Sequence, residues 1–323
     1  MPKPLPGDTW DNLYYPPPNY RYFENCDRFD FEPGAPDFSW KNAWWLAEAS
    51  LLAYVKKKTW DGVKVILAAA RFDDARQIGA DPAKSTKGFI AWRSGPAPFA
   101  VVAFRGTDKD DRRTFDTDID TLPESRDGYV VHRGFVRALD QVWDAEVAPL
   151  LAAFLGSYPG APVYFTGHSL GAALATISVT RFQGAACALY TFGSPRVGDH
   201  RFVRAVLRKT THVFRFVNCQ DIVTQVPPEF ALQPYYRHVG AERYINRAGT
   251  ILDHPSDVEK WLDATPGVMA HDGIAAAGSI ANPAKFVSLA AEIGAVPDPP
   301  PYLLGNHTPA RYAIRIWNYY SGL

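Results

Sequence analysis

The chain of 323 residues is long enough for one large domain or two smaller ones, and its 47% hydrophobic content can supply a sizeable core. Lysine and arginine together number 34, as do aspartate and glutamate, so the formal net charge is zero. This balance argues against nucleic-acid binding and against electrostatic attachment to an anionic membrane.

Three cysteines, Cys26, Cys187 and Cys219, are too few for a disulfide framework. The last two lie in apolar runs, where cysteine usually serves as a small buried side chain. Proline and tyrosine in the first 20 residues interrupt the apolar stretch that a signal peptide needs, and no run reaches the length of a membrane helix. We therefore expect a cytoplasmic protein, with export that uses no cleaved signal as the alternative.

The first half of the chain alternates between helical and strand-like patterns. Residues 1–37 are rich in proline and aromatic residues, and we expect them to form an arm that lies on the domain. A helix is predicted from about 41 to 57. The apolar runs GVKVILAAARF (62–72), KGFIAWR (87–93) and FAVVAFRG (99–106) are predicted to be strands. Apolar residues at helical spacing then predict one long helix over 133–155.

The second half continues this alternation. We predict a strand at 187–193, a helix at about 199–209, a strand at 212–218 and the paired strands YYRHVG (235–240) and ERYINR (242–247). The region 253–301 is an excursion with a proline cluster, and a final helix is predicted over 309–320. Strands that alternate with helices predict an α/β fold with a mostly parallel central sheet and helices on both faces. We assign residues 38–323 to a single domain.

The segment VYFTGHSLGAALATISV (163–179) joins a buried strand to a small-residue helix. Gly167 and Gly171 leave room for the strand and the helix to approach, so Ser169 is the side chain at the apex of the turn. The G-x-S-x-G pattern is weak by itself, because a tight turn without chemistry would satisfy it. The strand, turn and helix around it favour a nucleophilic serine.

A nucleophilic serine needs a base and an orienting acid, and in sheets of this type they follow the serine in the order acid, then histidine. Asp221 comes after the strand at 212–218 and suits the acid, although an aspartate there could also serve as a turn or helix cap. Asp199 is the rival acid, but it is better placed to cap the next helix.

Five of the eight histidines are poor candidates for the base, because they lie within a predicted strand or turn or at the end of a predicted helix. They are His132, His168, His200, His212 and His238. We expect His238 to be a hydrogen-bonded sheet residue. His254, His271 and His307 remain. His307 suits the base best, because it lies late in the chain, in a loop before the final helix. His271 is second, and each of the three could also be a surface histidine.

Two backbone N–H groups should stabilise the oxyanion, one after the nucleophile and one from the loop after an earlier strand. Leu170 supplies the first. Thr107, at the end of FAVVAFRGT, supplies the second, unless RGTD is an ordinary turn. No cysteine or histidine spacing suits zinc, and we expect neither a metal nor an organic cofactor.

At this point the sequence resembles the class 3 (fungal-type) lipases of the α/β-hydrolase superfamily. The matching segments run in family order from about 45 to 312: AEASLLAY, VVAFRGTD, TDID, VHRGFVRAL, GHSLGAALA, YTFGSPRVGD, FRFVNCQDIVTQVPP, YYRHVG and NHTPARY. By position, the resemblance implies Ser169 as nucleophile, Asp221 as acid and His307 as base. It also implies Thr107 and Leu170 as oxyanion donors. The 86 positions from Asp221 to His307 exceed what we expect of the compact fungal enzymes.

The resemblance implies hydrolysis of carboxylic esters of lipids, as in a triacylglycerol lipase or esterase, with peripheral contact to lipid surfaces. The alternatives are a phospholipase A1 or galactolipase activity by the same triad, and a non-catalytic lipid-binding relative. The family's lid segment reads DKDDRRTFDTDID (108–120) here, with six aspartates and few apolar residues. Because a lid that opens at a lipid surface needs an apolar underside, we expect weak interfacial activation and shorter-chain esters.

Overall fold

The computed structural model describes residues 2–7, 9, 11–12, 15–35, 37–54, 60–107, 122–185, 187–219, 221–227, 236–256, 259–260, 263 and 305–322. The described helices are α1 (Trp40–Leu52), α2 (Trp60–Ala69), α3 (Arg133–Asp140), α4 (Ala148–Ser157), α5 (Leu170–Arg181), α6 (His200–Lys209) and α7 (Pro309–Tyr320). A π-helical turn covers Trp143–Val147, and a 3₁₀ turn covers Ile222–Gln225.

Eight of the described strands form one central sheet in the order β1-β2-β3-β6-β7-β8-β9-β10. They are β1 (Asp74–Ile78), β2 (Gly88–Arg93), β3 (Phe99–Phe104), β6 (Val163–His168), β7 (Cys187–Phe192), β8 (Val213–Asn218), β9 (Ala241–Ile245) and β10 (Ile251–Asp253). The neighbours from β3 to β9 pair in parallel, and the strands at both edges pair antiparallel. The predicted mostly parallel sheet is therefore confirmed. A small hairpin, β4 (Pro123–Arg126) and β5 (Tyr129–His132), lies apart from it.

The two faces of the sheet are covered by different helices. On one face α1 and α7 pack together, and Trp44, Trp45 and Trp317 are almost wholly buried there. On the other face α3, α4, α5 and α6 enclose a second apolar cluster. Every residue of β3, β6, β7 and β8 is buried. This double covering explains why these strands appear in the sequence as continuous apolar runs.

The strand predicted for 62–72 is wrong, since most of this run forms α2. Only Val63 and Leu67, four residues apart, are buried in α2, while Val65 is 69% exposed. A ten-residue apolar run with alanines can bury one helical face, and the apolar content alone does not distinguish this from a strand. The first strand of the sheet is instead the more polar segment β1, which the sequence analysis did not identify.

The single helix predicted over 133–155 is three pieces in the structure: α3, the π-helical turn and α4. The predicted apolar face is nevertheless buried, including Phe135, Leu139 and Phe154. Pro149 lies in the first turn of α4. Proline cannot donate to a preceding turn, so it is tolerated at the start of a helix but not in its interior, which accounts for the break.

The segment YYRHVG does not form the predicted strand in its described part, residues 236–240. Arg237 makes one isolated bridge with Gly198, and only the following run pairs with β8 as β9. His238 is therefore not a sheet residue, which corrects that prediction. Its Nε2 instead lies 2.8 Å from the carbonyl oxygen of Thr224.

The N-terminal segment contacts both α1 and α7. Phe31 is 4% exposed and stacks on Phe99 with ring centroids 4.4 Å apart. The backbone of Lys3 exchanges two hydrogen bonds with the side-chain amide of Asn318 on α7, at 2.6 and 2.8 Å. The Tyr20 hydroxyl donates to the buried Glu48 of α1 at 2.5 Å. These contacts tie the segment to the two helices on one face of the sheet, while the boundary at residue 37 stays a prediction.

Three predictions fall on residues outside the described ranges. They are the acidic segment at 108–120, most of the excursion at 253–301, and His271. Within the described residues, no helix has the length and apolar character needed to cross a membrane.

Candidate active site

Ser169 occupies the turn between β6 and α5, with φ 58° and ψ −127°. A positive φ is uncommon for a residue with a side chain and is held only where the surroundings fix it. The Ser169 N–H donates to the carbonyl oxygen of Phe192 at 3.0 Å, which anchors the turn to β7. The strand, turn and helix therefore surround the serine as the sequence predicts, with its side chain at the apex.

The two glycines of the motif are required by close approach of the backbone. A Cβ built on Gly167 would lie 2.3 Å from the carbonyl carbon of Gly171, and one on Gly171 would lie 2.2 Å from the carbonyl oxygen of Phe104. Neither position can hold a side chain without moving β3, β6 or α5 apart. The turn at Ser169, here called the elbow, is thus formed by close contact of β6 and α5, as the glycine spacing indicated. The contact of α5 with the end of β3 was not predicted.

Asp221 follows β8 and is 2% exposed. It has both of the roles that the sequence analysis considered. Its Oδ1 accepts from the N–H of Val223 at 3.0 Å, so it caps the 3₁₀ turn at Ile222–Gln225. Its two carboxylate oxygens also lie 2.9 and 2.8 Å from Nδ1 of His307.

His307 lies in the loop that precedes α7. Thr308 caps that helix by accepting from the N–H of Arg311 at 3.2 Å, and Asn218 of β8 donates to the carbonyl oxygen of Asn306 at 2.8 Å. These bonds hold the loop against the end of β8. The imidazole is 13% exposed, and its Nε2 lies 2.8 Å from Oγ of Ser169.

The predicted serine, acid and base are therefore brought into one hydrogen-bonded chain at the carboxyl ends of β6 and β8. If Nδ1 of His307 carries the proton and donates it to Asp221, Nε2 presents a lone pair to the Ser169 hydroxyl. This is the arrangement in which an imidazole can remove the hydroxyl proton while the carboxylate fixes its tautomer. The long separation in sequence between Asp221 and His307 does not prevent their contact.

Tyr312 is a site residue that the residue-level reasoning missed. Its hydroxyl donates to Oδ2 of Asp221 at 2.6 Å and accepts from the N–H of Asn218 at 2.9 Å. Burial, and then the neighbouring Asp221 carboxylate, raise the pKa of Tyr312 well above its usual value. The hydroxyl therefore stays protonated and acts as a fixed donor to the carboxylate. The only sequence signal was its place five residues after His307.

Replacing Tyr312 by phenylalanine should lower kcat roughly 10- to 100-fold, because a buried carboxylate loses a hydrogen-bond donor and Asn218 loses its acceptor. Ester hydrolysis normalised to active-site titration measures this effect. Tyr319→Phe is the matched control, since Tyr319 lies on the same helix and packs on Trp40 with ring centroids 5.0 Å apart. Equal kcat values for the two variants would show that the Tyr312 hydroxyl does not support the acid.

The rival acid, Asp199, is the N-cap of α6. Its Oδ1 accepts from the N–H groups of Arg201 and Phe202 at 3.0 and 2.8 Å. We expect Asp199→Ala to lower the free energy of unfolding by about 1 kcal/mol and to leave kcat within about twofold of wild type. Urea unfolding and kinetics on the same preparation test this. A loss of kcat as large as that of Asp221→Ala would instead make Asp199 the acid.

His254, one of the three candidates for the base, is described and lies after β10. It is exposed, with a positive φ of 51°, and its N–H lies 3.5 Å from the carbonyl oxygen of Glu242. No hydrogen bond joins its side chain to Ser169 among the described contacts. Of the described histidines, His307 alone has a ring nitrogen in hydrogen-bond contact with the Ser169 hydroxyl.

The predicted oxyanion donors lie on either side of Ser169. Leu170 is the first residue of α5, where N–H groups have no partner within the helix and the dipole favours negative charge. Thr107 follows Gly106, and a Cβ built on Gly106 would lie 3.0 Å from Cβ of Ser169. The loop after β3 therefore rests directly against the serine. The roles of Thr107 and Leu170 stay predictions.

Gly193 is a second residue that sequence reasoning missed. It follows β7 with a φ of +60°, and a Cβ at this position would lie 2.7 Å from Oδ2 of Asp221 and 3.0 Å from Nδ1 of His307. The Asp221 carboxylate and the His307 imidazole therefore both lie close to Gly193, where a side chain would clash with them. Within the described residues, no cluster of histidine, cysteine and acidic side chains could hold a metal ion.

Known proteins similar to this chain include several described as lipases. Residues 101–231 match the family model described as lipase (class 3). The chain is 32% identical over 165 residues to secreted mono- and diacylglycerol lipase 1 of Fusarium solani, a match that covers 50% of this chain and 48% of the relative. It is 34% identical over 171 residues to a lipase of Rhizomucor miehei, covering 49% and 45%.

A third relative is phospholipase A(1) DAD1, chloroplastic, of Arabidopsis thaliana, 34% identical over 164 residues that cover 47% of this chain and 34% of that protein. The matches thus span half or less of each relative's length. Among solved structures, a triacylglycerol lipase whose catalytic centre is described as a serine protease triad superposes with a TM-score of 0.52 at 26% identity, covering 67% of this chain and 82% of that one. A mono- and diacylglycerol lipase from Aspergillus oryzae superposes with a TM-score of 0.53 at 22% identity, covering 67% and 84%, and shows the shared fold.

Proposed function

We propose that the chain is a member of the class 3 lipase family of α/β-hydrolases, whose model matches residues 101–231, and that it is a serine hydrolase that cleaves carboxylic esters of lipids. The observation that carries the proposal is the double contact of one imidazole. His307 lies 2.8 Å from the Ser169 hydroxyl through Nε2 and 2.8 Å from the Asp221 carboxylate through Nδ1. A non-catalytic lipid-binding relative would have no need of this geometry.

In the first step Ser169 attacks the ester carbonyl while His307 accepts its proton at Nε2. The carbonyl π bond opens to an oxyanion, which receives hydrogen bonds from the backbone N–H groups of Leu170 and Thr107. Asp221 stabilises the imidazolium and keeps the Nδ1 proton directed at itself. His307 then gives its proton to the departing alkoxide, so an alcohol leaves and an acyl-enzyme remains.

In the second step water replaces the alcohol. His307 removes a proton from water as the water attacks the acyl carbonyl, and the same two N–H groups hold the new oxyanion. Collapse of the intermediate returns the proton to Ser169 and releases the carboxylic acid.

A fluorophosphonate probe tests the class of the enzyme without knowledge of its substrate. We expect one probe per chain, attached to Ser169, with no labelling of Ser169→Ala and much slower labelling of His307→Ala. Peptide mapping identifies the site. If Ser169 of the wild-type protein is not labelled, the protein is not a serine hydrolase of this mechanism.

We propose neutral glycerides and short-chain esters as the first substrate class, with phospholipids as the second candidate. The relatives named mono- and diacylglycerol lipase and lipase favour the first, and the relative named phospholipase A(1) favours the second. Fatty acid release from diacylglycerol, triacylglycerol, phosphatidylcholine and p-nitrophenyl esters separates them. The acidic segment at 108–120 leads us to expect no sharp rise in rate when the substrate passes its solubility limit.

A further inference from the structure

The residue before the nucleophile, His168, is an imidazole that the proposed mechanism does not use. It is 2% exposed, and its ring packs on that of His307 with centroids 4.5 Å apart and planes at 39°. It also packs on Tyr312 at 5.7 Å. The His168 ring therefore packs against both His307, the proposed base, and Tyr312, which donates to Asp221.

Tyr54 fixes the orientation of that imidazole. Its hydroxyl lies 2.7 Å from Nδ1 of His168, and its side chain is 1% exposed. We assign the hydroxyl as the donor in this contact, because a neutral imidazole nitrogen is a better acceptor than a phenol oxygen, and this assignment places the ring proton on Nε2. Tyr54 lies two residues after the end of α1, so it comes from the helix layer on one face of the sheet.

The same hydroxyl touches the loop that carries the predicted oxyanion donor. A Cβ on Gly106 would lie 2.2 Å from the Tyr54 hydroxyl oxygen and 2.6 Å from the carbonyl oxygen of His168. Tyr54 thus lies where the elbow and the Gly106–Thr107 loop meet. No other described hydroxyl has both contacts.

The charge of His168 matters because His307 becomes positive during each step of the proposed reaction. Burial lowers the pKa of His168 well below its ordinary value, and the neighbouring His307 lowers it further. A neutral ring in a fixed tautomer supports an imidazolium beside it without repelling it. If the His168 ring could rotate, the packing contact that holds the His307 ring in place would be lost.

We propose that Tyr54 is a positioning residue for the hydrolysis: its hydroxyl holds His168 in one neutral tautomer beside His307. The proposal rests on the proposed function. Because Tyr54 is 1% exposed, we expect it to act through His168 and not by contact with substrate, so its removal should affect kcat rather than KM.

The test compares wild type with Tyr54→Phe, His168→Leu and the double variant, using a soluble p-nitrophenyl ester and active-site titration. We expect Tyr54→Phe to lower kcat about 10-fold with KM within twofold. The double variant should lose no more than His168→Leu alone, because the hydroxyl then has no ring to hold. Tyr190→Phe is the control, since Tyr190 is equally buried and its hydroxyl accepts only from the Ser39 N–H, at 3.3 Å, among the described bonds.

Histidine nitrogen NMR gives a readout that does not depend on turnover. In the wild-type protein His168 should appear as one neutral tautomer with the proton on Nε2, and in Tyr54→Phe as a mixture. A proton on Nδ1 in wild type, a kcat of Tyr54→Phe equal to that of Tyr190→Phe, or multiplied losses in the double variant would each overturn the proposal. If wild type hydrolyses no ester and is not labelled at Ser169, the proposed function fails first and this role in hydrolysis fails with it.

Discussion

Replacement of His307 by alanine should lower kcat by about 10⁴-fold or more, because the serine loses the only group among the described residues that can accept its proton. The residual rate would come from substrate binding and oxyanion stabilisation, which persist without the base. KM should change little, since the imidazole contacts the reacting atoms and not the body of the substrate. Single-turnover kinetics with a p-nitrophenyl ester measure the acylation step directly.

His254→Ala and His271→Ala are the controls for this experiment, because the sequence left all three histidines as candidates for the base. We expect both controls to keep kcat within about twofold of wild type. His254 is exposed and makes no described side-chain contact with Ser169. A loss of activity in His271→Ala with an active His307→Ala would move the base to residue 271 and leave the enzyme class unchanged.

Replacement of Gly193 by alanine should lower kcat by about 10²-fold or more while the protein still folds. The added methyl group would lie 2.7 Å from Oδ2 of Asp221 and 3.0 Å from Nδ1 of His307, so the acid and the base must separate. A displacement of about 1 Å in a catalytic group is enough for a loss of this size. The kinetics should be measured beside circular dichroism and thermal unfolding.

The matched control is Gly160→Ala, because Gly160 also has a positive φ, +80°, but a Cβ there would meet nothing within 4 Å. Both variants place alanine in the left-handed region and should share its conformational cost of about 1 kcal/mol. Only Gly193→Ala should lose activity. Similar kcat values for the two variants would mean that the space under the Asp221–His307 pair is not needed for catalysis.

The candidate serine, acid and base could all be named from the sequence, for different physical reasons. Ser169 stands out because glycines on both sides of it indicate a close turn between a strand and a helix. Asp221 stands out because it follows a strand, and His307 because it comes later in the chain, in a loop before the final helix, which is the order that such sheets require. The contact between Asp221 and His307 depends on Asn218, whose hydrogen bond to the carbonyl oxygen of Asn306 holds the loop that carries His307 against β8. No local sequence pattern predicts that hydrogen bond.

The sequence predicted secondary structure less well where tertiary packing, rather than local pattern, decided between helix and strand. Residues 62–72 carry enough apolar side chains for a strand, but α2 buries only Val63 and Leu67. The polar strand β1 forms because β2 offers it a paired edge, which its own residues do not indicate. His238 was expected in a strand, and it contacts the 3₁₀ turn after Asp221 instead.

By itself the sequence determined the alternation of elements, the parallel sheet and the residue types at the site, since these follow from local periodicity, glycine spacing and chain order. The tertiary structure alone decided which residues support them: Tyr312 beside Asp221, Gly193 beneath Asp221 and His307, and Tyr54 beside His168. Each of these contacts joins residues more than 25 positions apart in the chain. Contacts between residues so far apart in sequence depend on how the helices and strands pack. That packing depends on the whole core rather than on any one segment.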